Sequence, residues 1–282
     1  MGIDFHVFNF LASTKNQEFK KTLTIGRQSI HLSSKDISIL AKKHKALWNI
    51  RDNLIVEEFI DFVLVKHFGA TSVKSLDYSD YEKASITHDL NQPVDKSLHG
   101  KFDTIIDSGS LEHIFDIKKA FENCMNLCKV GGQIFHISPA DNFSGHGFWQ
   151  ISPELFFSLY SAKNGFQIEE IYIASLSNKS KVFKILRPKA GHRITLYSTS
   201  PCYILVKARK INDVNILSVQ QSDYEHIWEN PIPQQNLKGF TVDFNFKIPI
   251  KKIKRNIKLF VNPKNNFEIL NAKNEYVKVV RF

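Results

Sequence analysis

Between residues 20 and 175, short runs of β-branched and apolar residues alternate with longer stretches whose apolar positions recur every three or four residues. The short runs suit strands buried on both faces, and the longer stretches suit helices with one apolar side. Their alternation predicts repeated βα units, and therefore an α/β fold with a doubly wound, mostly parallel sheet and helices on both faces.

The expected strands are TLTIG (22–26), SVKSLD (72–77), ASITHD (84–89), KFDTIID (101–107) and GQIFHIS (132–138). Two helices, Ser34 to Trp48 and Leu54 to Phe68, enlarge the first crossover into a helical insertion over about 34–68, with Ser34 as cap and Gly69 as stop. Ile114, Ile117, Phe121, Met125 and Cys128 predict a further helix ended by Gly131-Gly132. Ser152-Pro153-Glu154 has the cap, first-turn proline and acidic first turn of a helix that runs to Lys163. FQIEEIYIAS (166–175) and CYILVKARK (202–210) are expected as an antiparallel pair at one edge, joined by an irregular segment, 177–200.

The texture changes from about residue 211, where Pro231, Pro233, Pro249 and Pro263 separate short strand-like or amphipathic pieces. This divides the chain into an α/β domain, 1–210, and a small, β-rich C-terminal appendage, 211–282. With 43% apolar and 23% charged residues, the chain can bury a core and is neither disordered nor fibrous.

A net charge of +10 raises nucleic acid as a partner, but no base-reading motif accompanies it. The densest basic cluster, Lys247, Lys251, Lys252, Lys254, Arg255 and Lys258, is interleaved with isoleucines. It reads as an edge strand or amphipathic helix with solvated lysines, or as a surface for peripheral contact with an anionic membrane. The N-terminal stretch has no basic lead and is broken by Asp4, His6 and Asn9, and no apolar run reaches the roughly 18 to 20 residues of a membrane span. A cytoplasmic location is the expectation. Cys124, Cys128 and Cys202 lack the further Cys/His pair that would complete a metal site, so buried, reduced thiols are expected and no metal site is read.

The run KFDTIIDSGSLEHIFDIKKAFENCMNLCKVGGQIFHISPADN, with GHGFWQISPELFFSLYSAKNGF after it, resembles the class I S-adenosylmethionine-dependent methyltransferases. The likeness is to the type 11-like members of glycan and secondary-metabolite pathways and covers roughly residues 20–210. It implies a Rossmann-like methyltransferase sheet, S-adenosylmethionine as cofactor, and a small-molecule or glycan acceptor, with oxygen as the atom methylated.

The resemblance also implies positions for the cofactor. Asp77 would accept hydrogen bonds from the ribose hydroxyls, although an Asx-turn role fits that position equally. Asp89 would contact the adenine amino group, its alternative being a turn ahead of Pro93. Asp107, Ser108 and Gly109 would border the methionyl part and the sulfonium. The family's glycine-rich loop after the first strand is replaced here by TLTIGRQSIHL, where only Gly26 remains. Arg27 is a candidate for the methionyl carboxylate in its place, through a bidentate pair, or else a structural ion-pair residue.

Methyl transfer to oxygen gains from a general base, and histidine suits that task near neutral pH. His146, between two glycines, is the first candidate for base or substrate contact, and His113 of Leu-Glu-His the second. Glu112 beside it reads as a helix-start or supporting residue. Phe143, Phe148 and Trp149 could form an apolar lid or pack on the sheet. A nicotinamide dehydrogenase is disfavoured because no G-x-G-x-x-G follows any strand. The missing glycines keep open a second function of another class, a non-catalytic methyltransferase-fold scaffold or binding module.

Overall fold

A computed structural model describes residues 2–14, 16–44, 58–179, 182–192, 194, 196, 198–214, 219–230 and 276–280. Within them the strands are β1 (Lys20–Ile25), β2 (Ala70–Asp77), β3 (Ile86–Thr87), β4 (Phe102–Ser108), β5 (Cys128–Asp141), β6 (Phe166–Ser175), β7 (Val182–Ile185), β8 (Cys202–Lys210) and β9 (Val277–Val280). The helices are α1 (Phe5–Ser13), α2 (Ser34–Lys43), α3 (Asp61–Phe68), α4 (Ile117–Leu127), α5 (Pro153–Leu159) and α6 (Ser222–Glu229).

One sheet runs in the order β3-β2-β1-β4-β5-β8-β6-β7-β9. The pairs β1/β2, β1/β4, β2/β3 and β4/β5 are parallel, and β8 is antiparallel to both its neighbours, β5 and β6. The chain therefore moves outward through β1, β2 and β3, then returns to start β4 on the other side of β1. This reversal defines a doubly wound sheet, and it opens a crevice beyond the C-terminal ends of β1 and β4.

Alternating residues of the central strands supply two cores. Ile105 and Ile134 face α4 and α5, and Ile106 and Phe135 face α1, α2 and α3. The period of two along each strand thus builds a three-layer α/β domain. Phe8 packs edge-on against Phe68, and Phe10 against Phe135, which fixes α1 to the sheet.

Several boundaries differ from the sequence expectation, each for a local reason. Ser33, not Ser34, caps α2: its hydroxyl accepts the Asp36 N–H at 3.2 Å and the Asp36 carboxylate accepts the Ser33 N–H at 3.1 Å. α2 stops at Lys43 with His44 as its C-cap, short of the expected Trp48, and α3 starts at Asp61 after non-helical residues 58–60 rather than at Leu54; residues 45–57 lie outside the described residues. α4 stops at Leu127 rather than at Gly131-Gly132, because Cys128 is already extended and paired with Phe102. α5 closes at Leu159, and Gly165, at φ +73°, ends the 3-10 turn that follows.

The expected β6/β8 pairing is present, but it does not form the sheet edge. Residues Val182–Ile185 of the supposed irregular segment make β7 on β6, and β9 from the chain's last residues pairs with β7. Of the expected appendage, α6 and β9 are described, and the basic cluster 247–258 lies outside the described residues. Lys207 interrupts the apolar face of β8 yet is only 1% exposed, because its ammonium donates to Thr14 O at 2.8 Å and Asn16 Oδ1 at 2.6 Å and pairs with Glu169 at 3.1 Å. No helix among the described residues is long and apolar enough to cross a membrane. All three cysteines are buried and unpaired by disulfides.

The α2 cap gives a first prediction. Ser33→Ala removes the acceptor for the Asp36 N–H and should cost about 1 kcal/mol in urea unfolding. Asp36 also accepts from Lys179 at 2.6 Å. Burial pushes the Asp36 carboxyl up, but the hydrogen bonds from Lys179 and Ser33 outweigh it and hold the group below its ordinary range. A carboxyl held low in the folded state stabilises above its unfolded pKa, and that contribution is lost as pH falls through the folded pKa. Asp36→Asn should therefore lower stability at neutral pH, and the difference from the wild type should vanish once acid has protonated the carboxyl.

Candidate active site

The crevice at the reversal point has a volume of about 420 Å³ and is lined, among others, by Gly26, Arg27, Asp77, Asp89, Gly109 and His113. A larger hollow of about 980 Å³ lies at the opposite end of the sheet, around the start of β6 and the residues after β8. Ligands of open α/β sheets bind beyond the carboxyl ends of the parallel strands, so we place the chemistry in the smaller one.

The first wall is the turn after β1. Gly26 adopts φ +70°, and a Cβ there would stand 2.8 Å from Ser110 Oγ. Its N–H donates to Leu76 O at 2.7 Å, which ties the turn to β2. The Ile25 carbonyl accepts from the Ser110 hydroxyl at 2.7 Å and from Gln28 Nε2 at 2.5 Å. Side chains thus brace a turn that has a single glycine. Arg27 reaches the crevice, but its guanidinium already donates to Glu82 O at 2.8 Å, lies 4.0 Å from Asp61 and sits 3.9 Å over the Phe59 ring. It would have to leave these partners to clamp a ligand carboxylate.

Asp77 ends β2, and its Oδ1 accepts the Tyr78 N–H at 2.7 Å. Asp89 follows β3, and its Oδ1 accepts both the backbone N–H and the side-chain amide of Asn91, at 2.9 and 2.8 Å. Those bonds hold the Asp89 carboxyl below its usual range, so it stays ionised at neutral pH. In both residues one carboxylate oxygen shapes the local turn. Both turn roles weighed from sequence are therefore real, and both residues line the crevice as well.

Asp107 and Ser108 lie elsewhere than a direct cofactor contact requires. Both are 0% exposed at the end of β4, beneath the crevice. Asp107 Oδ1 accepts the N–H groups of Ser110 and Leu111 at 3.0 and 3.3 Å, and Oδ2 accepts from His136 Nδ1 at 2.8 Å. His136 Nε2 then accepts the Tyr160 hydroxyl at 2.5 Å, which carries the network to the residue after α5. The Ser108 hydroxyl donates to Gly2 O at 3.1 Å. The carboxylate thus shapes the turn that presents Gly109 and does not face a sulfonium, because a fully buried charge requires all its lone pairs to be satisfied.

That turn continues as one 3-10 turn, Leu111–His113, which points Glu112 inward and leaves His113 half exposed. His146 arrives from the loop after β5. Its Nε2 lies 3.5 Å from Glu112 Oε1, and His113 Nε2 lies 3.9 Å from the same oxygen. The two imidazoles meet edge to face at 4.9 Å between centroids. The loop is pinned onto the turn, since the Phe148 N–H donates to Glu112 O at 2.8 Å and the Trp149 indole N–H to Ile114 O at 2.9 Å.

Burial lowers both histidine pKa values, and for His113 the neighbouring His146 adds to the shift. Each imidazole is therefore neutral at neutral pH. Burial and the Asp107 charge push Glu112 up to about 8. Both histidines expected at the acceptor side are brought together here, and sequence reasoning missed the carboxyl between them. The signal for it is Glu112's place beside a histidine at the end of a central strand, where burial and not solvent is the rule.

The residues fit a nucleoside-bearing ligand such as S-adenosylmethionine on two grounds. Two carboxylates border one open crevice of a size typical of ligand clefts, and Gly26 occupies a place where a side chain would collide with the turn.

No family model matches the chain, and no curated protein does. Among solved structures, a Bacillus halodurans protein described as a candidate methyltransferase is similar over 72% of this chain and 97% of its own, at 12% identity and a TM-score of 0.41. The trans-methyltransferase CalH in complex with S-adenosylhomocysteine is similar over 73% of this chain and 55% of its own, at 12% identity and TM-score 0.38. A Burkholderia thailandensis didemethyltoxoflavin N-methyltransferase, with its substrate and S-adenosylhomocysteine bound, is similar over 72% and 75%, at 10% identity and TM-score 0.37. These are likenesses of overall fold, and no residue role is taken from them.

Proposed function

We infer that the protein is an S-adenosylmethionine-dependent methyltransferase that acts on a small-molecule or glycan acceptor, at oxygen. The observation that carries this reading is the open crevice at the β1/β4 reversal, bordered at once by Asp77, Asp89, Gly26 and Gly109. In it Asp77 would hold the ribose hydroxyls and Asp89 the adenine amino group, while Gly26 and Gly109 let the backbone approach closely. The bound cofactor would supply an electrophilic methyl group on a sulfonium.

The protein's own part is to place the acceptor in line and to remove its proton. Placement alone can contribute much of the acceleration. His146 and His113, held neutral beside the crevice, are suited to take a hydroxyl proton. Phe115 and Phe148, 74% and 66% exposed, meet edge to face beside them and offer an apolar surface for a sugar or planar acceptor.

The bracing of the first turn by Gln28 and Ser110 favours a second reading, a scaffold that has lost its cofactor. The open crevice reaching both Asp77 and Asp89 weighs against it. Calorimetric titration with S-adenosylhomocysteine separates the two. Binding should weaken roughly ten- to a hundredfold in Asp77→Asn, which loses charge-assisted hydrogen bonds. Absence of any heat with the wild type, for this ligand and for S-adenosylmethionine, rejects the enzyme reading and leaves the scaffold.

A further inference from the structure

Glu112 presents an unresolved demand. Its side chain is 0% exposed, yet among the described residues neither carboxyl oxygen has a hydrogen-bond partner, and neither does His146 Nε2. Leaving such groups buried without partners is costly, so a folded protein retains them where something else satisfies them. The surroundings bring two further ligand residues to the same point. One donor atom each from Glu112, His113 and His146 lies within 4.8 Å of the others.

The backbone is arranged to bring them this close. Gly147, at φ +69°, lets the His146 loop press on Glu112, and a Cβ there would stand 2.8 Å from Glu112 O and 3.0 Å from its Cγ. Any other residue would lift the loop, and His146 with it, off the carboxyl.

We propose that Glu112, His113 and His146 form a binding site for a first-row divalent transition-metal ion. Two imidazole nitrogens and one carboxylate are the donor set such ions select, whereas magnesium and calcium favour oxygen donors throughout. Donors about 2.1 Å from a tetrahedral ion stand roughly 3.4 Å apart. The 3.5 Å from His146 to Glu112 already meets this, and rotation of the His113 side chain, 47% exposed, has to close both its 3.9 Å to Glu112 and its separation from the His146 nitrogen, which is within 4.8 Å. Three protein ligands leave at least one position of a tetrahedral ion for water or another ligand. His113 also lines the crevice, so the ion would sit next to the place where an acceptor would lie.

The ion's role there rests on the methyltransferase reading: with it bound, it would hold the acceptor oxygen and acidify its hydroxyl so that the proton passes to water, and the histidines would serve as ligands in place of the base role they have in the metal-free site. Metal binding itself does not depend on that reading.

The test is a titration of chelator-stripped full-length protein with cobalt(II), followed by visible absorption, and with zinc(II), followed by calorimetry. One ion per chain is expected, with affinity at least about tenfold lower in Glu112→Gln, His113→Ala and His146→Ala. His146→Ala alters an exposed-loop residue and tests the site even where Glu112→Gln disturbs the fold. His99→Ala, at an exposed histidine away from the cluster, should bind as the wild type does. Failure of the wild type to bind one ion, or equal affinity in His146→Ala, overturns the proposal. Titrating the same stripped protein with S-adenosylhomocysteine tests the cofactor crevice separately, so the metal proposal and the enzyme reading can fail independently.

Discussion

Asp107→Ala is expected to destabilise the protein by about 3–5 kcal/mol, the range found when one partner is removed from a buried charged network. Three donors lose their acceptor together: the Ser110 and Leu111 N–H groups and His136 Nδ1. Leu111 and His136, 1% and 0% exposed, cannot turn to water instead, and Ser110 is half-buried. In thermal unfolding the midpoint should fall by roughly 10 °C, at about 2–4 °C per kcal/mol for a domain of this size. Asp107→Asn keeps an oxygen for the backbone donors and should lose less. A midpoint within about 2 °C of the wild type for the alanine variant would show that the network is not what holds the end of β4. The same variant should also disturb the crevice, because Asp107 sets the turn that carries Gly109, Glu112 and His113.

On the methyltransferase reading, Gly26→Val should abolish most affinity for S-adenosylhomocysteine. At φ +70° an L-residue is strained by about 1–2 kcal/mol. Its Cβ would meet Ser110 Oγ, which is itself fixed on the Ile25 carbonyl. The turn must then shift, and it forms the first wall of the crevice. We expect S-adenosylhomocysteine to bind at least about thirtyfold more weakly, equivalent to about 2 kcal/mol. The fold should persist, because the Gly26 turn lies at the surface end of β1 while both cores lie beneath it. Calorimetry on a variant shown to be folded by circular dichroism decides the matter, and unchanged affinity would place the cofactor elsewhere.

The two variants separate supporting residues from contacting ones. Asp107 and Ser108 were expected at the ligand because they end a central strand of a doubly wound sheet. Ending such a strand brings a residue to the crevice, but the direction of its side chain decides whether it meets ligand or core. That direction depends on what packs against the strand end, here His136 and Tyr160 for Asp107 and the Gly2 carbonyl for Ser108. None of these partners is near in sequence.

The same distinction runs through the site. Gly26, Gly109, Asp77 and Asp89 line the crevice, as expected from their places after successive strands. The Asx-type bonds of Asp77 and Asp89 were legible too, since they join neighbouring residues. Arg27 lies at the crevice, but its partners Glu82, Asp61 and Phe59 are contributed by distant segments. Glu112 was legible only as a polar residue beside a helix start. Its burial against the His146 loop arises from a contact across more than thirty positions of chain, set by Gly147.

For the fold, alternation of strand-like and helix-like periods was enough to locate β1, β2, β4, β5, β6 and β8 and the helices between them, because side-chain direction repeats every two or 3.6 residues within an element. It was also enough for the α/β class. Periodicity within an element carries no information about which element lies beside it. The insertion of β8 between β5 and β6, the pairing of β7 with β9, the docking of α1 on Phe68 and Phe135, and the meeting of Glu112 with two histidines were therefore decided by long-range packing. Each of them depends on which distant surfaces can bury apolar area and satisfy polar groups together, and only the folded chain brings those surfaces into contact.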